Sequence, residues 1–375
     1  MSKINVRSFS NENEDGAPDL VGITTFSATS YFVPTRGTTK QRPSDHVEVG
    51  SLRYNYDIKN LEYYRGDTLG WSQFKLEEAS SIASRAVFAG GQADPTPATN
   101  TIDYNQVATL GNALDFGDMT ITAGVPAGAA NKIRGIIAGG YAAPATSDVI
   151  QKVTIATTGN ATSFGSLSTA RRNRDGCADS NRALFGGGFA HTAQIDMVTI
   201  MSDGNSVDFG DITETRYNTG AVADRVRGVF AGGVSTSPAP VNIMDYVTIQ
   251  STGNAVDFGD LTDRTDDAHG HASSTRGIYV LGNGAPHTSD QNIINYITIA
   301  STGNAIDFGD SHAGDEKACT GSSTRALIAG GFVSPATVNN ISYIEIPTLG
   351  NSADFGELTI PKSSMAHFSN DGGGT

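Results

Sequence analysis

The chain is poor in three things that usually announce a function. It has two cysteines in 375 residues, Cys177 and Cys319, and neither stands at a metal-type spacing. A disulfide framework is therefore not expected. Its 25 lysines and arginines are outnumbered by 39 acidic residues, a net charge of −14. Gripping phosphates takes a basic surplus, so the expected partners include no nucleic acid, and an acidic surface is repelled by anionic membranes. No apolar run approaches the ~18 residues needed to span a bilayer, so no membrane insertion is expected. The start, MSKINVRSFSNENEDG, has no apolar stretch of the kind a secretory signal needs. The expectation is a protein made in a cytoplasm. Charged residues are sparse at 17%, yet hydrophobics at 38% can build a core, which excludes a disordered chain.

Glycine, by contrast, is abundant at 44 residues, and much of it is periodic. One element reads GNALDFGD at 111–118, GNATSFGS at 159–166, GNSVDFGD at 204–211, GNAVDFGD at 253–260, GNAIDFGD at 303–310 and GNSADFGE at 350–357. A second reads RAVFAGG from Arg85, RGIIAGG from Arg134, RALFGGG from Arg182, RGVFAGG from Arg227, RGIYVLGNG from Arg276 and RALIAGG from Arg325. Two elements that alternate six times in one order define a repeat architecture.

Each copy divides into four short strands, a to d. In the fourth copy they are TGAVADR (219–225), RGVFAGG (227–233), NIMDYVTI (242–249) and NAVDFGDL (254–261), with the glycine turn QSTG between c and d. Both faces of strand c carry β-formers, which suits a sheet packed on both sides. Four-stranded units of this length point to an all-β fold, a six-bladed β-propeller over 78–375. The blades fall near 85–118, 134–166, 182–211, 227–260, 276–310 and 325–357. The first blade needs a strand a, either EASSIAS (78–84) or SMAHFSN (364–370). We expect the C-terminal segment, 364–370, because it otherwise lacks a partner and its pairing would hide an edge. An arginine, a hydrophobic strand ending in two glycines and a tyrosine-bearing strand resemble a kelch repeat. The kelch tryptophan of strand d is replaced by phenylalanine at 116, 164, 209, 258, 308 and 355, so kelch-family functions are not carried over.

Residues 1–77 carry no copy of the repeat. Residues 1–21 read as an extended arm and 22–77 as a small β-meander, with SLRYNYD, LEYY and WSQFKL as strands. Gly50, Ser51, Leu52, Arg53, Tyr54, Asn55 and Asp57, then Leu61–Tyr64, Gly66 and Trp71, resemble a module of tailed-bacteriophage virion proteins, particularly those of cyanophages. That resemblance implies a virion location, many copies per particle, and attachment to other virion proteins, tail or capsid, through residues 1–77. Phe26, Tyr31, Phe32, Arg53, Tyr54, Tyr63, Tyr64 and Trp71 are the candidate anchoring residues.

The repeated acids Asp115, Asp208, Asp257, Asp307 and Asp354 could be metal loops, a catalytic ring or fold chemistry. Paired acids stand three apart on a strand, hence on opposite faces, which is unsuited to clamping one ion. Catalytic groups also tend to be single-copy. We therefore expect these aspartates to hold the arginines that open strand b, or the arginines to bind turn carbonyls, one set per blade. The second copy, with Ser163, tests the pairing. RGD at 65–67 reads as turn chemistry. HGH at 269–271 puts two imidazoles on one side of a strand, but no third ligand is evident nearby, and neither a metal nor a cofactor is expected. No hydrolase, metalloprotease or phosphate-loop motif occurs, so no enzyme activity is expected.

The b–c and d–a loops vary while the a–b and c–d turns are uniform, which places recognition on the variable end. Tyr141, Phe189, His191, Arg172, Tyr217, Arg264, His287 and Phe332 are the candidates there, suited to a host-surface glycan or protein. The expected function is a non-enzymatic, tail- or fibre-associated virion appendage. The alternatives are a capsid decoration or head-fibre protein, and a carbohydrate-active propeller enzyme.

Overall fold

A computed structural model describes residues 34–44, 47–73, 84–94, 98–172, 175–189, 192–236, 239–284 and 291–374. The chain divides into two compact units, Met1–Ala79 and Ser80–Thr375. The expected arm at 1–21 and the anchor candidates Phe26, Tyr31 and Phe32 lie outside the described residues, as do the loop candidates His191 and His287. The described residues are all-β: they contain no α-helix, only one 3-10 turn at Thr39–Gln41. None of their helices is long and apolar enough to cross a membrane.

In the first unit, β1 (Thr35–Gly37) runs parallel to β2 (Leu52–Asn55), followed by antiparallel β3 (Asn60–Tyr64) and β4 (Trp71–Gln73). The strands β2 to β4 are those read from the sequence; β1 is too short to carry a period-2 signal. Alternation does sort the residues, but the face turned inward is polar. Arg53 pairs with the fully buried Glu62 at 3.1 Å and donates to the Thr38 carbonyl. Arg42 also pairs with Glu62, so two guanidiniums serve one carboxylate. The opposite face leaves Leu52 and Leu61 exposed.

Among the described residues, the second unit holds six four-stranded antiparallel sheets. In the fourth repeat the strands are a (Gly220–Ala223), b (Arg227–Ala231), c (Val241–Thr248) and d (Val256–Thr265). Strand a of the first repeat is Ala366–Ser369, paired antiparallel with Arg85–Ala89. The strand-d phenylalanines are all buried, and each helps fill a cluster between its own sheet and the next. Phe116, for example, packs with Val153, Ile155 and Ala161 of repeat 2. A further cluster joins Phe355 and Leu327 of the sixth repeat to Phe88 and Val107 of the first.

The glycine–asparagine element is a clasp between repeats. The asparagine side-chain oxygen accepts the backbone N–H two residues past the phenylalanine of the preceding repeat. Asn160 takes Asp118, Asn205 takes Ser166, Asn254 takes Asp211, Asn304 takes Asp260 and Asn351 takes Asp310, all at 3.0–3.1 Å. Asn112 of the first repeat takes Glu357 of the sixth at 3.2 Å. The glycine before each asparagine also donates to the preceding phenylalanine carbonyl, as Gly303 does to Phe258 at 2.8 Å. Gly259 shows why the approach needs glycine: it sits at φ +142°, and a Cβ there would lie 2.5 Å from the Gly303 carbonyl oxygen.

The arginines do not bind the aspartates of their own repeats, contrary to the first of the two expected arrangements. Each instead donates through Nη1 to a backbone carbonyl at the end of strand c in the next repeat. The pairs are Arg85–Ile155, Arg134–Ile200, Arg182–Ile249, Arg227–Ile299, Arg276–Ile346 and Arg325–Val107, at 2.7–3.1 Å. Arg134 makes the same bond as the others although its repeat carries Ser163, so the aspartate is not the essential partner. In four of the repeats the arginine also lies over a tyrosine ring of its own sheet: Arg85 over Tyr104, Arg227 over Tyr246, Arg276 over Tyr296 and Arg325 over Tyr343, at 4.5–4.8 Å. Asp115, Asp208, Asp257, Asp307 and Asp354 are all exposed. Arg227→Met is expected to cost about 1.5–3 kcal/mol. Asp257→Asn should stay within about 0.5 kcal/mol. Chemical denaturation of the two variants checks both values.

Candidate functional site

The variable loops meet because backbone bonds tie each d–a loop to the b–c loops of the repeats before and after it. Gly140 N–H donates to Arg171 C=O, Phe189 N–H to Arg172 C=O, and Gly188 N–H to Arg216 C=O, each at 2.8–2.9 Å. Tyr141 is held by a short hairpin, Tyr141–Ala142 against Ala145–Thr146, and Tyr217 by pairing with Val234.

Alternate residues of these d–a loops then point in opposite directions. Arg171 and Arg216 turn inward: Arg171 lies 3.5 Å from Asp196, and the fully buried Arg216 pairs with the fully buried Asp245. Lys362 repeats the device, 3.1 Å from Asp103, and burial pulls its pKa below the usual lysine value. The residues that follow the two arginines turn outward. Arg172 places its guanidinium 4.7 Å from the Tyr141 ring centre and 4.3 Å from that of Phe189. Phe189 in turn meets Tyr217 edge-on at 5.8 Å. Four of the sequence candidates, from three consecutive repeats, thus form one cluster, with Phe189 45% exposed at its top. A cation between two aromatic faces beside an exposed ring can stack on sugar rings or seat aromatic and acidic side chains of a protein.

Two further candidates stand apart. Arg264 is exposed near the end of a long strand d, and Phe332 is half-buried in the hairpin Phe332–Val333 against Ala336–Thr337. In the first unit, Arg53 and Tyr64 lie in the interior, while Tyr54, Tyr63 and Trp71 are half-buried. Asp67 of the RGD accepts a hydrogen bond from Tyr64, which commits that carboxylate to its own turn.

The sequence reading missed partners for HGH. His271 is buried and its Nε2 lies 2.9 Å from the Ser322 carbonyl oxygen. His269 meets His367 from the closing strand, with Nδ1 3.1 Å from Nε2. His367 lies 3.6 Å from Asp175. Burial pushes the Asp175 carboxyl up to about 7, against the pull of His269 and of backbone N–H groups. Burial also holds the pKa of His367 well below the ordinary histidine value. The available signal was positional. Asp175 and His269 occupy the strand-a register held elsewhere by Ala127, Gly220, Ala318 and Ala366.

No protein-family description matches the chain, and no curated protein matches it.

A double-mutant cycle on Arg172 and Phe189 is expected to return a coupling of about 0.5–1 kcal/mol. Arg216→Met should cost about 3–5 kcal/mol, because Asp245 is left buried without its cation. Urea denaturation separates the two.

Proposed function

We propose that this chain is a non-enzymatic virion structural protein of a tailed phage. In this reading its six sheets are the blades of a kelch-like β-propeller that displays a recognition face. Support for the propeller comes from six like sheets whose clasps run from each repeat to the next and from Glu357 back to Asn112. Support for recognition comes from one observation above others: Tyr141, Arg172, Phe189 and Tyr217 converge on the end that carries the irregular loops. The class of ligand that fits is a host-surface glycan, read by ring stacking with an arginine at its edge. Support for attachment through the first unit comes from its phage-module residues and from the exposed Leu52 and Leu61 on one face of its sheet.

The carbohydrate-active enzyme reading has one observation in its favour, the buried Asp175–His269–His367 cluster. The cavities beside it measure about 20 and 70 Å³. Substrate pockets run to roughly 300–1,000 Å³, so a sugar does not fit there.

The test has two parts. Imaging of purified particles should place the protein on the tail or capsid. Glycan-array and host-cell binding by the full chain should weaken at least about tenfold, roughly 1.4 kcal/mol, in Phe189→Ala and Arg172→Ala. Absence from particles overturns the virion reading; unchanged binding by both variants overturns the recognition face.

A further inference from the structure

We propose that Asp175, His269 and His367 bind one divalent transition-metal ion, with Zn²⁺ the best fit, where strands of alternate repeats meet. His269 belongs to the inner strand of the fifth repeat and His367 to that of the first, while Asp175 stands just before that of the third. Their ligand atoms all lie within 4.8 Å of one another. His269 Nδ1 and His367 Nε2 are 3.1 Å apart, and His367 Nε2 and Asp175 Oδ2 3.6 Å. Ligand atoms around a tetrahedral Zn²⁺, at bonds of roughly 2.0–2.1 Å, stand about 3.3 Å apart. Two of the three separations bracket that value and the third, between His269 and Asp175, lies within 4.8 Å, so an ion enters once side-chain rotation draws that edge in.

The donor set selects the class of ion. Two imidazoles and one carboxylate suit borderline metals such as Zn²⁺. Ca²⁺ and Mg²⁺ look for shells of oxygen ligands. Three protein ligands leave the fourth tetrahedral position to water.

Outer partners already orient the donors, as they do in metal sites. Asp267 Oδ1 lies 3.4 Å from His269 Nε2, the ring nitrogen facing away from the cluster. His367 also makes a backbone hydrogen bond with Cys319. Asp175 accepts backbone N–H groups of Gly176 at 2.7 Å, Ala221 at 3.2 Å and Gly270 at 3.4 Å. Placing Asp175 and His269 in a register that alanine or glycine fills in the other repeats, with His367 one position along its own strand, carries a desolvation cost. A bound cation offsets that cost, and it would pin alternate sheets to one another.

The experiment is a Co²⁺ titration of the full, chelator-treated chain, followed by displacement with Zn²⁺. The expected result is one equivalent of Co²⁺ with visible ligand-field bands, and an X-ray absorption spectrum showing two imidazole ligands. Zn²⁺ should raise the unfolding temperature. His269→Gln and Asp175→Asn should abolish tight binding, and Asp267→Asn should weaken it about 10–100-fold. Asp257→Asn, at an exposed acid, should leave it unchanged. Failure of the unaltered chain to take up Co²⁺ or Zn²⁺ overturns the proposal, as does a spectrum with fewer than two imidazoles. Binding that survives both His269→Gln and His367→Gln also overturns it. Should the variants not fold, the spectrum of the unaltered chain decides alone.

Discussion

The second unit depends on the bond between a backbone N–H in one repeat and an asparagine side chain in the next. A four-stranded sheet of this size cannot stand alone, because both its faces are apolar and its outer strand offers unpaired groups. The asparagine clasp and the glycine beside it answer both problems at one corner. They fix the spacing at which the next sheet's strand c covers the phenylalanine, and they occupy backbone groups of strand d. The arginine carbonyl bond adds a second tie between the same two repeats, from strand b to the end of the next strand c. Each bond contributes modestly, about 0.5–1.5 kcal/mol for a neutral pair. The same ties recur between neighbouring repeats, the last running from Glu357 to Asn112.

That arrangement explains how far the sequence could be read. Strand identity followed from composition and alternation, which are local. The partner of each arginine did not. When every copy carries the same residues, an interaction within a copy and one with the neighbouring copy predict the same pattern. Arg227 and Asp257 share a repeat, and so do Arg276 and Ile299, yet the bond found is Arg227 to Ile299. Only a copy that breaks the pattern discriminates, and the repeat with Ser163 did so once Arg134 was seen bonding Ile200 like the rest.

The same logic, inverted, locates chemistry. Residues present in every copy build the scaffold; residues present once have another reason to be there. The HGH stretch was weighed by its sequence neighbours, and His269 found none. Its partner His367 is 98 residues away, brought close because strand a of the first repeat comes from the C-terminal end. Subtracting the small-residue pattern of strand a would have isolated Asp175, His269, His271 and His367 together. Their convergence, however, is a property of the assembled sheets and not of any segment.

The loop cluster rests on a division of labour between adjacent residues. Arg171 goes inward to Asp196 and Arg172 outward to Tyr141 and Phe189. Arg216 goes inward to Asp245 and Tyr217 outward to Phe189. Buried ion pairs are poor sources of net stability, since desolvation cancels much of their attraction. What they do supply is direction: a buried guanidinium with fixed partners leaves its neighbour little freedom in where it points. A recognition surface built on such residues loses less conformational entropy on binding than one built on free loops. The polar inner ends of the d–a loops therefore set the direction of the outer ends.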